Sequence, residues 1–187
     1  VKDGKFSFTG TLADPVMGSL RAKYQEVPGA KSMKAISYNR DIKQVFLENS
    51  KIKITSVDSF ANATIKGSKS HAAYVSWTDL TKEETAQSAA LNKEYGEYYK
   101  KKDQAGMDRI DAAFDKLTEQ KNIKNKQYLK DNASSPIAMF VLKQYAGYDI
   151  NADDVEPMFL ALPEQLRASP AGKDMAEKLE TAKKTGV

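Results

Sequence analysis

The sequence predicts an α+β fold: an antiparallel β-sheet or sandwich followed by a helical region with a long αα-hairpin and short capped helices. Three observations carry that expectation. Apolar residues alternate with polar ones as far as Gly67, then recur at three- and four-residue steps from Ser68 onward. Turn residues punctuate the first part and helix caps the second. The chain has 187 residues, 41% hydrophobic and 29% charged, and a chain of that length buries roughly 70% of its unfolded surface without staples. The expected parts are residues 1–68 for the β region and 69–187 for the helical one.

Taken in order, Asp3-Gly4 is a two-residue hairpin signal with too little chain before it, so the sequence reads as truncated at the front. Phe6, Phe8 and Leu12 alternate with Ser7, Thr9 and Thr11, and Leu20, Ala22 and Tyr24 with Arg21 and Lys23. Residues 33–38 form a weaker run. Val45 to Leu47, Ile52 with Ile54, and Ala63 with Ile65 complete the expected strands. Asp14-Pro15, Pro28-Gly29, Asn39-Arg40-Asp41 and Glu48-Asn49-Ser50 supply turns. One face buried and one wet is the antiparallel pattern.

Residues 70–102 are rich in helix formers. Thr81-Lys82-Glu83-Glu84 has capping-box spacing, so this stretch reads as two helices, or as one carrying a threonine. Lys100 to Lys102 end it, where cations suit the helix dipole, and Ala105-Gly106 marks a break. Met107, Ile110, Phe114, Leu117, Lys121, Lys124 and Tyr128 then follow a 3-4 spacing whose apolar character fades into lysines. Two long helices folded back on each other fit this pattern. Ser135-Pro136 and Ser169-Pro170 each place Ser at N-cap and Pro at the first helical position. Gly147 closes a helix carrying Ile137, Phe140, Val141 and Tyr145. Asn151 caps one bearing Val155, Met158, Phe159 and Leu162, and Pro163 opens a turn around Leu166. The last helix runs from Pro170 to about Lys184 on Met175, Leu179 and Ala182.

Composition narrows the chemistry. There is no cysteine, which excludes disulfides, thiol catalysis and thiolate metal sites. His71 is the sole histidine, which excludes a catalytic His pair and most zinc sites. The net charge is +4, with the front basic and the back mildly acidic, and the lysines are scattered singly. A nucleic-acid binder clusters them on one face, so no nucleic-acid partner is expected. No apolar run is long enough to span a bilayer.

The remaining candidates have plain structural readings. His71 reads as a surface or helix-start histidine. Glu83-Glu84 and Asp153-Asp154 could be drawn as general acid and base, but sit in first turns where carboxylates offset the dipole. Tyr95, Tyr98 and Tyr99 with Lys100 to Lys102 could stack bases, yet the run matches a helix end with aromatics inward and lysines solvated. Asn62-Ala-Thr64 and Asn132-Ala-Ser134 match a glycosylation sequon that has meaning only in a eukaryotic secretory context. No catalytic residue, cofactor or metal site is expected. The expected contact surface for another protein is Tyr95, Tyr98 and Tyr99 with Met107, Ile110 and Phe114 on the hairpin arms, since two arms satisfy each other along one stripe only.

The order of several segments resembles one family. These are Val1-Lys-Asp-Gly-Lys-Phe-Ser-Phe-Thr-Gly10, Val45-Phe-Leu-Glu-Asn-Ser-Lys-Ile-Lys-Ile54 and Ile65-Lys-Gly-Ser-Lys-Ser-His-Ala-Ala-Tyr74. Tyr128-Leu-Lys-Asp-Asn-Ala-Ser-Ser-Pro-Ile-Ala-Met-Phe-Val-Leu142, Ser169-Pro-Ala-Gly-Lys and the close at Lys184-Thr-Gly-Val187 follow. Together they resemble the N-terminal domain of exported thiol-disulfide oxidoreductases of Gram-negative bacteria, where it precedes a thioredoxin-like domain of the AhpC/TSA and TlpA/ResA kind. The resemblance implies a periplasmic or cell-envelope location and an anchor, if any, outside this chain. It also implies a thioredoxin-like partner domain in the same parent chain, with a client protein or a second copy as further partners. The family's Cys-x-x-Cys chemistry cannot lie in a chain without cysteine, so this part would be a non-catalytic accessory domain. The alternative is a free-standing periplasmic adaptor that binds proteins.

Overall fold

The computed structural model describes residues 4–21 and 41–186. The fold is α+β, with small antiparallel sheets at the N-terminal end and a helical remainder. The chain divides into two compact units, Val1–Tyr74 and Val75–Val187.

In the first unit, β1 (Val16–Arg21) pairs antiparallel with β2 (Ile42–Leu47), Val16 opposite Leu47 and Arg21 opposite Ile42. Val45 and Phe46 are the buried residues of β2. A second ladder joins β3 (Lys53–Thr55) to β4 (Thr64–Lys66), with Ile54 opposite Ile65. A 3-10 turn, Phe60–Asn62, lies between them, and its entry is held by Asp41, whose Oδ1 accepts the Phe60 N–H. Gly67 follows β4 at φ +89°.

The expected strand through Phe6, Phe8 and Leu12 is absent: beyond an isolated bridge at Lys5 these residues are irregular, and Phe8 is 84% exposed. The alternation there is not matched by a ladder. Instead the Asn49 side-chain amide serves Leu12 as a strand would, accepting its N–H at 2.9 Å and donating to its carbonyl at 2.8 Å. Asp3, Ala22 to Tyr24, the run 33–38, Pro28-Gly29 and Asn39-Arg40 lie outside the described residues.

Helix α1 (Lys69–Leu80) and helix α2 (Lys82–Lys101) are separate, broken at Thr81. The capping box does not make the break. Thr81 gives no side-chain cap and sits at φ −105°, ψ 13°; its carbonyl instead accepts from the Thr85 N–H at 3.0 Å and hydroxyl at 2.8 Å. Helix α3 (Gln104–Asp131) turns back on α2. The turn falls at Lys102, left-handed at φ 55°, and Asp103 caps α3 by accepting the Gly106 N–H at 3.0 Å. Ala105 and Gly106 are therefore inside α3 and not a break. Gly106 is required there by packing: a Cβ would overlap the Tyr98 ring.

The helical unit closes with α4 (Ala138–Ala146), α5 (Ala152–Leu160), α6 (Glu164–Arg167) and α7 (Pro170–Thr185). Asn151 and Ser169 cap α5 and α7 through side-chain oxygens, as the sequence predicts. Ser135 does not cap α4: the helix starts after Ile137, and Ser135 Oγ accepts the Ile137 N–H at 3.4 Å while bonding the Tyr128 hydroxyl at 2.9 Å. The core is where α4 packs on α3, α5 and α7, around Ile137, Val141, Leu142, Val155, Met175 and Leu179.

Candidate protein-contact site

The α2–α3 hairpin carries the six residues expected to meet another protein. Helix α2 leans on α3 and makes no comparably extensive contact with any other described element. Its inward row is Glu84, Ser88, Leu91, Tyr95 and Tyr98, at the 4-3-4-3 spacing of a two-helix seam. From α3, Met107, Ile110, Phe114 and Leu117 answer it. Ile110 and Leu117 are buried, whereas Tyr95, Tyr98, Met107 and Phe114 are half-buried and Tyr99 is 68% exposed. The structure thus brings Tyr95, Tyr98, Met107, Ile110 and Phe114 to one seam and leaves Tyr99 outside it.

Tyr98 is fixed within the hairpin. Its ring lies over Gly106, the Arg109 guanidinium stands 5.6 Å from the ring centroid, and its hydroxyl donates to Glu94 at 3.2 Å. At the tip, Lys100 pairs with Glu97 at 2.8 Å and the lysines are solvated. That part of the helix-end reading holds; the inward placement of all three tyrosines does not, because Tyr99 follows Tyr98 by one residue and so points about 100° away around the helix.

The lysines that continue the α3 stripe are not a fading of it. Lys124 reaches Glu84 at 2.6 Å and donates to the Leu80 carbonyl at 2.7 Å, the group released by the break at Thr81. Lys121 approaches Ser88 at 3.4 Å. One turn further, buried Asn125 accepts from Trp77 Nε1 at 2.9 Å, and the indole meets Phe140 edge-on. Glu84 is 6% exposed. Its bond to Lys124 holds the carboxyl below the usual range despite burial, while its Oε2 has no hydrogen-bond partner. Removing Lys124 leaves a buried carboxylate without its cation. Lys124→Met is therefore expected to cost the helical unit about 1–3 kcal/mol, measured by urea unfolding followed through Trp77 fluorescence.

The second acid pair resolves similarly. Asp153 is exposed, and Asp154 binds Lys126 at 2.7 Å and accepts from the Tyr145 hydroxyl, with Lys126 Nζ 5.1 Å from the Tyr145 ring centroid. Lys126 is pushed up to about 12, first by Asp154 and then by Tyr145. Asp154 is held low by Lys126 and then by Tyr145, so this brace is complete above the ordinary carboxylate range and is lost on acidification below it. Glu84 and Asp154 thus each tie two helices together, while Glu83 and Asp153 are exposed.

His71 is not a surface residue. It lies in the first turn of α1 and is buried. Glu48 caps that turn, accepting the N–H of Lys69 at 2.6 Å, the N–H of Ser70 at 3.1 Å and the Ser70 hydroxyl. Sequence reasoning missed this cap because Glu48 stands 21 residues from Lys69, and long-range caps leave no local spacing.

Among the described residues no group of three or more His, Asp or Glu side chains could hold a metal ion, and no helix is long and apolar enough to cross a membrane. No curated protein and no solved structure matches the chain. Residues 1–74, the span of the first compact unit, match the family described as a domain of unknown function (DUF4369).

Proposed function

We propose that this chain is a non-catalytic accessory domain of a cell-envelope thiol-disulfide oxidoreductase and that its α2–α3 hairpin docks against protein, foremost the thioredoxin-like domain of the parent chain. The observation that carries the docking role is the hairpin itself. Leu91, Tyr95, Met107 and Phe114 are half-buried between two helices, and Tyr99 stands exposed beside them. Aromatic residues at the rim of such a seam are the side chains that anchor protein interfaces. The oxidoreductase context rests on the resemblance in segment order. The absence of cysteine from all 187 residues assigns any dithiol chemistry to another part of the parent protein.

Two measurements test the reading. Reading the gene past the codon for Val187 distinguishes its two forms: an in-frame Cys-x-x-Cys segment supports the accessory domain, and an immediate stop codon replaces it with the free-standing adaptor. Titrating the chain with that thioredoxin-like domain tests the surface. Tyr99→Ala is expected to weaken docking by about tenfold, the size of an interface anchor, while changing stability by less than about 0.5 kcal/mol. Unchanged docking by a Tyr95, Tyr98 and Tyr99 triple alanine variant that remains folded removes the hairpin from the interface.

A further inference from the structure

His71 sits where the start of α1 meets strand β2. Its ring packs against Tyr74, with centroids 6.0 Å apart, and Tyr74 in turn lies tilted against Phe46 with centroids 5.5 Å apart. The Phe46 N–H donates to His71 Nδ1 at 3.4 Å. The Ser68 hydroxyl donates to the Phe46 carbonyl at 3.0 Å and accepts the His71 N–H at 2.9 Å. Both backbone groups of one strand residue are thus served by side chains from the start of a helix, as a neighbouring strand would serve them.

We propose that His71 is an acid-released clasp, holding the first turn of α1 to β2 while its imidazole is neutral and letting go when the ring is protonated. Accepting at Nδ1 requires the neutral ring, with its one proton on Nε2. A second proton at Nδ1 makes that atom a donor and sets it against the Phe46 N–H. The bond is lost and two donors face each other in a buried space.

The surroundings set the direction. Burial disfavours the imidazolium and Lys43 on β2 adds like charge, so the ring is held below its ordinary range. Lys43 is itself held by the Ala61 carbonyl at 3.2 Å. The other titratable groups at this junction are Glu48, which follows β2, and Tyr74 on α1. Burial would raise Glu48, but bonds from Ser70, the Lys69 N–H and Ser50 together hold it low. Burial raises Tyr74. Glu48 therefore remains ionised and Tyr74 neutral through the range in which an imidazole titrates. With the folded-state pKa lowered, the opened state binds more protons. The clasp is complete above the ordinary histidine value of about 6.5 and weakens as pH falls below it. The cap at Glu48 outlasts it.

The experiment uses the intact chain. Because His71 is the sole histidine, its Cε1 proton gives one unambiguous NMR titration. Protection of the Phe46 amide, corrected for intrinsic exchange, is followed on the same samples from pH 7 to 5. The imidazole is expected to titrate below about 6.5, and Phe46 protection to fall by up to about tenfold per pH unit within the window. His71→Asn keeps an oxygen acceptor near the place of Nδ1 and cannot titrate, so its Phe46 protection is expected to be flat with pH. An imidazole at or above its ordinary pKa overturns the proposal. So does wild-type protection that ignores pH, or an Asn variant with the wild-type pH dependence. Should that variant fail to fold, the native chain decides alone: loss of Phe46 protection must track the His71 titration, and a mismatch overturns the clasp.

Discussion

Leu142→Ala is expected to be among the most damaging single substitutions, costing the helical unit about 2–5 kcal/mol. Leu142 has no exposure at all and sits in α4. That helix packs against α3, α5 and α7, so its inner face has no neighbour free to move into a void. The loss combines the transfer of a leucine side chain with the cavity left behind, and a whole domain is stable by only about 5–15 kcal/mol. The sole tryptophan, Trp77, meets Phe140 on the same helix, so urea unfolding read by its fluorescence measures the effect directly. Leu160, 56% exposed at the end of α5, is the control, and its alanine variant is expected to lie within about 0.5 kcal/mol of the native chain. Equal effects at the two positions would show that α4 does not form the centre of the core.

Gly67→Ala is expected to cost the N-terminal unit about 2–6 kcal/mol, because two penalties of about 1–3 kcal/mol each coincide. The residue adopts φ +89°, a conformation that a side chain disfavours, and its Cβ would overlap the Lys51 carbonyl oxygen. Relief by movement is limited, because the Gly67 carbonyl accepts the Ser50 hydroxyl at 2.8 Å and α1 begins at Lys69. Amide exchange of Ile54 and Ile65, paired across β3 and β4, reports the loss. Native-like protection in the alanine variant would mean that the Lys51 segment yields at little cost.

The sequence made the helical unit more legible than the sheets. Local chemistry made two caps readable, since Asn151 and Ser169 each reach an N–H three residues on, but the same Ser-Pro pattern at Ser135 caps no helix because α4 starts later, after Ile137. The hairpin was readable from the spacing of Met107, Ile110, Phe114 and Leu117. Its turn was misplaced because Lys102 occupies the left-handed position where Gly106 was the obvious breaker. The strands are harder because alternation needs a partner to become a ladder. Ile54 and Ile65 found one, and Phe6 and Phe8 have none in the described ladders. At the candidate site the tyrosines and the apolar stripe were visible, but the polar end of the seam was not. Glu84 and Lys124 lie 40 positions apart, and only folding makes the pair. The burial of His71 was equally hidden, since its partner Phe46 lies 25 residues away on β2.

The register of β1 with β2 also bears on how the chain reaches its fold. These strands meet across residues 22–41, whereas α2 and α3 meet across Lys102 and Asp103 alone. Closing the longer segment costs about 2 kcal/mol more in ring-closure entropy than closing a two-residue turn. That deficit must be met by the cross-strand contacts of the β1–β2 ladder, which appear only once the distant strand has arrived. The hairpin, by contrast, can zip from its tip with each added turn supported by the last. In kinetic terms the β1–β2 pair has a higher contact order than the turn of the hairpin, and its closure is the slower of these two events.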